Sequence, residues 1–391
     1  MTVLYNFDAT RLPSPHLTEE HEAWRNTVKA FVDKEIAPFV NDWDEVGAFP
    51  RELHQKAAAI GLNGITYPSE YGGFGEDTDI FHSLIMSEEL ARAGSGGLVA
   101  GLMTHGIGLP PILAIGSDEM KARVAADIIA GEKLISLCIT EPSGGSDVAN
   151  LRTKAKRDGD FYVVNGEKTY ITTGCRADYL TVAVRTGGDG AGGVSLLLID
   201  ANSPGITRTP LKKMGWWMSD TASIRFDDVR VPAENLIGYE NAGFIGIMSN
   251  FNSERIGMAA QSLAFARVCI EDAAAWAVER KTFGKPLIKH QVIRHKFAEM
   301  YRRVIAGQAL LDNCAWRVKR GETPIAELSL LKVEATQCME YCAREAMQIL
   351  GGAGFIRGHR IERIYREVRV MAIGGGSEEI MLDLAARQMG S

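Results

Sequence analysis

The sequence predicts a mainly α-helical protein with a β-rich middle section, on three observations. Hydrophobic residues recur at helical spacing in the first third of the chain, follow strand patterns between about residues 131 and 231, and return to helical spacing from about residue 242. Of the 391 residues, 46% are hydrophobic and 24% are charged, which is typical of folded globular proteins. At roughly 150 residues per domain, this length predicts two to three domains.

The first section is predicted to be a series of helices. A Thr-Glu-Glu start at Thr18 suits a helix N-terminus, and apolar residues then recur at helical spacing to about Val40. The next helix is predicted between Pro50 and Gly61, because proline favours the first turn of a helix and glycine favours its end. Further helices are predicted over residues 77–93, 98–115 and 118–129.

The middle section is predicted to contain short strands. It begins with the apolar run 134–140, and residues 161–168 predict a strand with a tight hairpin turn at Asn165-Gly166. Several strands within about 100 residues favour a small barrel or a sandwich. Further strands are predicted over residues 179–185, 194–199 and 222–231.

The last section is predicted to be a bundle of long helices. Glycine runs at 351–354 and 374–376 break the helical pattern sharply. The predicted helices cover residues 244–281, 289–320, 325–350 and 378–389.

Composition and motifs disfavour several classes of function. The formal net charge of −6 gives no excess of basic residues for nucleic-acid binding. The chain has no P-loop, GxSxG, HExxH or dinucleotide GxGxxG motif, and its eight histidines show no metal-ligand spacing, so no metal is expected. Six cysteines without a CxxC pair are expected to be reduced, with Cys338 and Cys342 on one buried helix face. Neither a signal sequence nor a ~20-residue apolar span is visible, so we expect a cytoplasmic protein without a membrane span.

Four segments carry groups that suit a cofactor, although each also has an ordinary structural explanation. Residues 140–147 form a Gly- and Ser-rich stretch whose N–H groups and hydroxyls suit a phosphate or a heteroaromatic edge, or simply a surface turn. Residues 168–174 end a strand with an aromatic ring and hydroxyls. An ordinary aromatic side chain on the face of a sheet also explains them. Residues 280–286 and 348–355 are also explained as helix ends, where cations and glycines are common.

Together and in this order, the segments resemble the acyl-CoA dehydrogenase family, flavoproteins that introduce an α,β-double bond into acyl-CoA thioesters. The resemblance covers residues 15–390 and rests on the segments 139–147, 168–174, 280–285 and 348–354. It implies a homotetramer in which each chain has an N-terminal helical domain, a middle β-barrel and a C-terminal four-helix bundle. The implied domain bounds are 1–131, 132–236 and 237–391.

The resemblance also implies FAD between the barrel and the C-terminal helices. Tyr170 replaces the tryptophan common in many members, but it still presents a π face to the flavin. Gln348, Gly351 and Gly352 are expected to reach the cofactor of a neighbouring subunit. The residues that the resemblance assigns to FAD are Ile139, Thr140, Ser146, Tyr170, Thr172, Arg280, Thr282, Phe283, Gln291, Gln348, Gly351, Gly352, Ser377 and Glu379.

The catalytic base is the main departure from the family pattern. The family reaction moves the α-proton to a carboxylate and the β-hydrogen, as hydride, to flavin N5, but the usual base position here is Gly375. Three alternatives follow: the enzyme is inactive, Glu378 replaces the usual base, or another part of the chain supplies the base. Isovaleryl-CoA and long-chain members carry a helix glutamate directly before an arginine, as Glu254 and Arg255 do here. We therefore expect Glu254 to abstract the proton, with the Gly375 N–H serving the thioester oxygen.

The remaining expectations concern the substrate and the partners. The stretch 96–103 is small and apolar, which favours a deep pocket for a medium, long or branched acyl chain, including terpenoid chains. Trp217 stands where a basic residue is common. An electron-transferring flavoprotein is the expected acceptor; the alternatives are a non-catalytic acyl-CoA-binding subunit and an oxidase or monooxygenase of the same fold. Residues expected to contact substrate or CoA are Ser146, Asn252, Arg255, Gly375, Gly376 and Arg387.

Overall fold

The computed structural model describes residues 5–390, apart from the side chains of residues 245 and 248–252. The predicted substrate residue Asn252 is among those side chains, so it lies outside the described residues. The regular secondary structure of the first described section is helical. Its helices are α1 Glu19–Phe31, α2 Val40–Val46, α3 Glu52–Ala59, α4 Ile80–Ala91, α5 Gly96–Leu102, α6 His105–Gly108, α7 Pro110–Ile115 and α8 Asp118–Ile129.

Polar side chains cap several of these helices. Thr18 accepts a hydrogen bond from the backbone N–H of His21 at the start of α1, and Asp79 and Ser117 cap α4 and α8 in the same way. The helix predicted over 98–115 is divided into α5, α6 and α7. Pro110 begins α7, where its missing N–H is harmless, but it would interrupt one continuous helix.

The middle section forms one eight-stranded sheet. Its order is β6-β7-β3-β2-β4-β5-β8, with β1 pairing on β4. The strands are β1 Ile135–Cys138, β2 Lys154–Asp158, β3 Phe161–Ile171, β4 Tyr179–Arg185, β5 Val194–Asp200, β6 Ile206–Pro210, β7 Ala222–Pro232 and β8 Leu236–Ile237.

The barrel that the family resemblance implied is wrong, because the sheet does not close. Within the described residues β6 pairs only with β7 and β8 only with β5, so the two ends of the main strand order do not meet, and β1 pairs only with β4. The strand β8 has two residues and is too short to carry the sheet further. The sheet nevertheless bends over a shared core, in which Val164, Leu180 and Phe226 from three strands are buried together.

The hairpin turn predicted at Asn165-Gly166 is also wrong, since both residues lie inside β3. The chain reverses earlier, between Asp158 of β2 and Phe161 of β3. Gly166 instead sits at a register shift between β3 and β7 with a φ of +148°, and a Cβ there would lie 2.6 Å from Thr153 Oγ1. The glycine therefore serves a bulge and a close approach, which local sequence does not distinguish from a turn.

The last section contains five described helices instead of the predicted four. The additional helix is α12, which packs against α9 and α11. A small hairpin follows α9, and its turn residues Phe283 and Gly284 both have positive φ, as a type I′ turn requires. The elements are α9 Gly243–Glu279, β9 Lys281–Thr282, β10 Lys285–Pro286, α10 Gln291–Lys319, α11 Ile325–Leu350, α12 Arg360–Ile373 and α13 Glu378–Gln388.

Helix α9 forms the centre of the largest core. Its middle turns, including Phe265, Val268 and Cys269, have no exposed surface. The N-terminal segment anchors here too, because Phe7 is buried between the guanidinium groups of Arg92 and Arg267, 4.1 and 4.0 Å from the ring centre. All six cysteines are free thiols, and Cys338 and Cys342 are buried as predicted.

Among residues 5–390, no single helix has the length and hydropathy of a membrane span. The bent pair formed by α5 and the stretch from His105 to Ile115 meets both criteria when its parts are taken together.

Candidate active site

The turn of α9 that carries Glu254 lies against the glycine loop 374–376. Arg255 is buried, and its Nε lies 3.4 Å from the carbonyl oxygen of Gly375. One turn further along α9, the Met258 sulfur lies 2.8 Å from the position that a Gly375 Cβ would occupy. Burial lowers the pKa of Arg255, while the charge of neighbouring Glu254 acts in the opposite direction. The structure thus brings the predicted base helix and the predicted thioester loop together.

The loop 374–376 has a conformation suited to glycine. Gly375 and Gly376 have φ values of +67° and +112°, in the region that residues with a side chain rarely adopt. On its other side, the Lys332 ammonium group of α11 donates to the carbonyl oxygens of Gly374, at 2.8 Å, and of Gly376. Lys332 was not predicted from the sequence, although one lysine in the apolar stretch 330–333 is a signal of a buried charge.

Glu378, the alternative base, occupies the first turn of α13. Ser377 caps this helix by accepting from the Ile380 N–H, and Gln337 of α11 donates to the Glu378 carboxylate at 3.4 Å. A carboxylate in the first turn is favoured by the helix dipole without a catalytic role. Neighbouring Glu379 is exposed, and hydrogen bonding at the helix start lowers its pKa.

The middle domain brings two predicted flavin segments side by side. The Thr169 N–H donates to the Thr140 carbonyl at 2.8 Å, and Ser136 Oγ donates to the Thr172 carbonyl at 2.8 Å. These bonds place Ile139 and Thr140 next to the segment that carries Tyr170 and Thr172. Ile139 is buried, whereas the Tyr170 ring is 70% exposed at a φ of +60°.

A buried ion pair fixes this crossing of strands, and the sequence analysis missed it. Lys168 has no exposed surface and donates to Glu141 Oε1 at 2.8 Å and to the Ile139 carbonyl at 3.0 Å. Glu141 also accepts from the backbone N–H groups of Arg152, at 2.6 Å, and Thr153, at 2.9 Å. Burial raises the pKa of Glu141, but Lys168 and the hydrogen bonds from Thr153 lower it by more. The net pKa is below its usual value, so the carboxylate is ionised.

Several predicted cofactor residues of the C-terminal domain lie on its surface. The Phe283 ring is 96% exposed at a φ of +49°, which is unusual for a large apolar side chain. Thr282 lies 3.2 Å from His290 Nε2 at the base of the same hairpin. At the end of α11, Gly351 has a φ of +62°, and a Cβ on it or on Gly352 would meet nothing within 4 Å. The other exposed predicted residues are Ser146, Arg280, Gln291, Gln348 and Arg387, of which Arg387 pairs with Asp383 at 2.8 Å.

These features fit FAD in two respects. Tyr170 and Phe283 offer exposed aromatic faces for a flavin or adenine ring, and the Gly351-Gly352 turn leaves open space and backbone groups for polar parts of the cofactor. Both aromatic rings are held in a rare backbone conformation, which is typical of ligand-binding positions.

The space beside the glycines that were predicted to deepen the acyl pocket is occupied by other residues. A Cβ on Gly96 would lie 2.5 Å from Trp216 Nε1, and one on Gly97 would lie 2.7 Å from Trp216 Cα. Gly101 similarly faces Phe49 at 2.9 Å. The neighbouring Trp217 stacks against the guanidinium groups of two arginines. These glycines therefore accommodate aromatic rings, and their small size does not by itself enlarge a pocket.

The chain matches three family models in sequence. They describe the N-terminal domain of acyl-CoA dehydrogenases at residues 18–132, the middle domain at 136–229 and the C-terminal domain at 241–390. Acyl-CoA dehydrogenase AFT10-1 of Alternaria alternata is 39% identical over 95% of this chain and 91% of the relative. The mitochondrial isobutyryl-CoA dehydrogenase of Bos taurus and long-chain specific acyl-CoA dehydrogenase of Sus scrofa are each 33% identical, covering 96% and 95% of this chain and 90% and 87% of their own lengths.

Solved structures agree with these matches. The structure of a probable acyl-CoA dehydrogenase from Mycobacterium abscessus is 49% identical, with a TM-score of 0.93 over 95% of this chain and 99% of its own. A glutaryl-CoA dehydrogenase from Mycobacterium smegmatis, solved in complex with FADH2, is 27% identical, with a TM-score of 0.90 over 96% of this chain and 95% of its own.

Proposed function

The chain belongs to the acyl-CoA dehydrogenase family, whose members bind FAD, and we propose that Glu254 is the base that removes the substrate α-proton. The product is the trans-2-enoyl-CoA. The observation that carries the assignment is the contact of α9 with the glycine loop, through Arg255 at 3.4 Å and Met258. Glu254 precedes Arg255 and lies one turn from Met258 on the same helix face.

Two groups of this chain act directly on the substrate in this proposal, one on the thioester oxygen and one on the α-proton. A thioester α-carbon is a very weak acid, so its proton leaves only if the negative charge developing on the thioester oxygen is stabilised. The backbone N–H of Gly375 donates to that oxygen, and the Glu254 carboxylate accepts the proton. Bound FAD supplies the acceptor for the β-hydrogen. Ile139, Thr140, Tyr170 and Thr172 would hold the flavin. Phe283, together with the Gly351-Gly352 turn of a neighbouring subunit, would hold the adenine half.

The substrate is a medium, long or branched acyl chain, with terpenoid chains included. Gly257 supports this assignment because it is half-buried between Glu254 and Met258, and the nearest atom to its Cβ position is Ser87 Oγ of α4 at 3.9 Å. A methyl group at this position would thus meet α4 in ordinary van der Waals contact without a clash. The relatives named for isobutyryl-CoA and for long-chain substrates are equally similar to this chain, so sequence identity does not choose between short and long chains.

The working assembly is a homotetramer that passes electrons to an electron-transferring flavoprotein. Phe355 and Ile356, beside the Gly351-Gly352 turn, are 82% and 62% exposed in one chain, as is Phe283 at 96%. Large exposed apolar side chains are typical of a contact with another protein, and a neighbouring subunit fits these positions.

The experiment compares the flavin spectrum of three proteins on anaerobic mixing with butyryl-, isovaleryl-, octanoyl-, palmitoyl- and citronellyl-CoA. Wild type is expected to bleach with at least one of the thioesters longer than five carbons, which are octanoyl-, palmitoyl- and the branched citronellyl-CoA. Glu254→Gln should bleach about 10²–10⁴-fold more slowly, because a positioned base contributes that factor. Glu378→Gln is the matched control and should bleach at the wild-type rate. Equal rates for wild type and Glu254→Gln would refute the base assignment, and bleaching only with butyryl- and isovaleryl-CoA would refute the chain-length assignment.

A non-catalytic acyl-CoA-binding subunit is the second candidate, and Gly375 is the feature that favours it. Wild type that binds FAD but is bleached by none of the five thioesters would support it. An oxidase or monooxygenase is separated by the rate at which the reduced flavin reacts with oxygen.

A further inference from the structure

Lys332 is a buried cation that the reaction described above does not use. It lies on α11 with no exposed surface, and none of the described carboxylates lies within ion-pair distance of its ammonium group. Its partners are the carbonyl oxygens of Gly374, at 2.8 Å, Ala372, at 3.4 Å, and Gly376. A buried ammonium group without a carboxylate partner is costly, so carbonyl oxygens that converge on it mark a specific arrangement.

The direction of these carbonyls determines the direction of the neighbouring N–H groups. In a trans peptide the C=O of one residue and the N–H of the next point in opposite directions. Because the Gly374 carbonyl points towards Lys332, the N–H of Gly375 points away from α11. The Gly375 carbonyl lies 3.4 Å from Arg255 Nε, so the two cations hold the carbonyls of all three glycines.

We propose that Lys332 is a positioning residue that orients the glycine loop so that the Gly375 N–H faces the thioester oxygen of the substrate. This inference rests on the proposed function. Lys332 does not contact the substrate and acts through the loop. Its positive charge also polarises the Gly374 peptide, which strengthens the adjacent N–H as a donor to a developing negative charge.

The test combines kinetics with the infrared carbonyl band of bound enoyl-CoA labelled with ¹³C at C1. Lys332→Met removes the charge and keeps the chain length, and Lys332→Arg keeps the charge. The matched control is Lys121→Met, which changes a half-buried lysine of α8. In Lys332→Met, kcat should fall about 10²–10³-fold, the loss typical of one oxyanion donor, with KM changed less than about threefold. The carbonyl band should return towards its frequency in water. Lys332→Arg should recover part of both effects, and Lys121→Met should match wild type.

Two outcomes separate this inference from the proposed function. Glu254→Gln should lose turnover but keep the shifted carbonyl band, since its loop is unchanged. A Lys332→Met protein that binds FAD and keeps both the band and the wild-type kcat would overturn the inference and leave the proposed function intact. If Lys332→Met does not fold, the pH dependence of the wild-type band decides. Burial and Arg255 lower the pKa of Lys332 to about 8, against Glu378, which raises it. The band shift should therefore weaken as the pH rises through 8, and a constant shift from pH 6.5 to 9.5 would overturn the inference.

Discussion

Removing the Lys168 charge should destabilise the middle domain and reverse the pH dependence contributed by Glu141. The pair joins the strand β3 to the segment that follows β1, and neither side chain has appreciable exposure. The perturbation is Lys168→Met, which keeps most of the side-chain volume but leaves the carboxylate without its cation. Lys156→Met, an exposed lysine of the neighbouring strand β2, is the matched control.

The expected size of the effect follows from the partners that Glu141 retains. Breaking a buried ion pair by removing one partner costs about 3–5 kcal/mol, because the remaining charge stays buried. Glu141 keeps the backbone donors of Arg152 and Thr153, at 2.6 and 2.9 Å, so the loss should lie near the lower end, about 3 kcal/mol. The control should change stability by less than about 0.5 kcal/mol.

The pH dependence of stability gives a second and independent test. In wild type the net pKa of Glu141 is lowered from 4.5, so its contribution to stability is present above pH 4.5 and is lost as the pH falls through the folded value. In Lys168→Met, burial becomes the dominant influence and raises the pKa. The variant should then be least stable relative to wild type at high pH and should approach it as the pH falls and Glu141 takes up a proton.

The assay is urea denaturation of both variants and wild type at pH 5.5 and 7.5, followed by circular dichroism and by release of flavin fluorescence. The reasoning would be refuted by a Lys168→Met protein as stable as Lys156→Met at pH 7.5. It would equally be refuted by a destabilisation that is the same at both pH values, since that result assigns the loss to packing alone.

Three further predictions concern other residues. Burial raises the pKa of Glu367 from 4.5 to about 7, so the free energy of unfolding should fall by about 3 kcal/mol as the pH rises between these values. Glu367→Gln keeps an acceptor for the backbone N–H of Trp216. In this variant, denaturation midpoints measured across the same pH range should change less. Rising stability over that range would contradict the assignment. Gly375→Ala should lower kcat at least about 10-fold, because φ is +67° and the Met258 sulfur lies 2.8 Å from the new Cβ, and adding Met258→Ala should restore part of it. Phe283→Ala should shift the assembly towards smaller species in light scattering, and an unchanged mass at micromolar concentration would argue against an interface role.

The local hydrophobic pattern correctly predicted helices and strands that bury one regular set of side chains. The predicted helix 325–350 and strand 179–185 agree with α11 and β4, because burial imposes a clear period on their apolar residues. The helix α12 was missed between two glycine runs. It is rich in arginines, and these are satisfied by distant partners, as Arg366 is by Asp44 and Arg360 is by Asp272, so its pattern alone reads as exposed and polar.

Long-range pairing limited the other predictions. The Asn165-Gly166 turn became a bulge because β3 continues along β7, about 60 residues away in sequence. The open edges of the sheet depend on such pairings too, and no local signal distinguishes an open sheet from a barrel. In the site, the contact of α9 with the glycine loop was anticipated from a family pattern. The roles of Lys332 and Glu141 required tertiary contacts, although each stands out as a charge in an apolar or turn-like stretch.

The positions of Glu254, Met258 and Gly375 are physically linked, which makes a glycine in the usual base position compatible with the role proposed for Glu254. A side chain at residue 375 would need a positive φ and would meet the Met258 sulfur at 2.8 Å. Glu254 and Met258 are four residues apart on α9 and therefore share the helix face that meets the loop. A carboxylate on the helix lies beside the loop without requiring a side chain at residue 375. Met258 occupies the space that a carboxylate on the loop would need. Gly375 is then the residue required opposite this helix, and its N–H remains available for the thioester oxygen whichever element supplies the base.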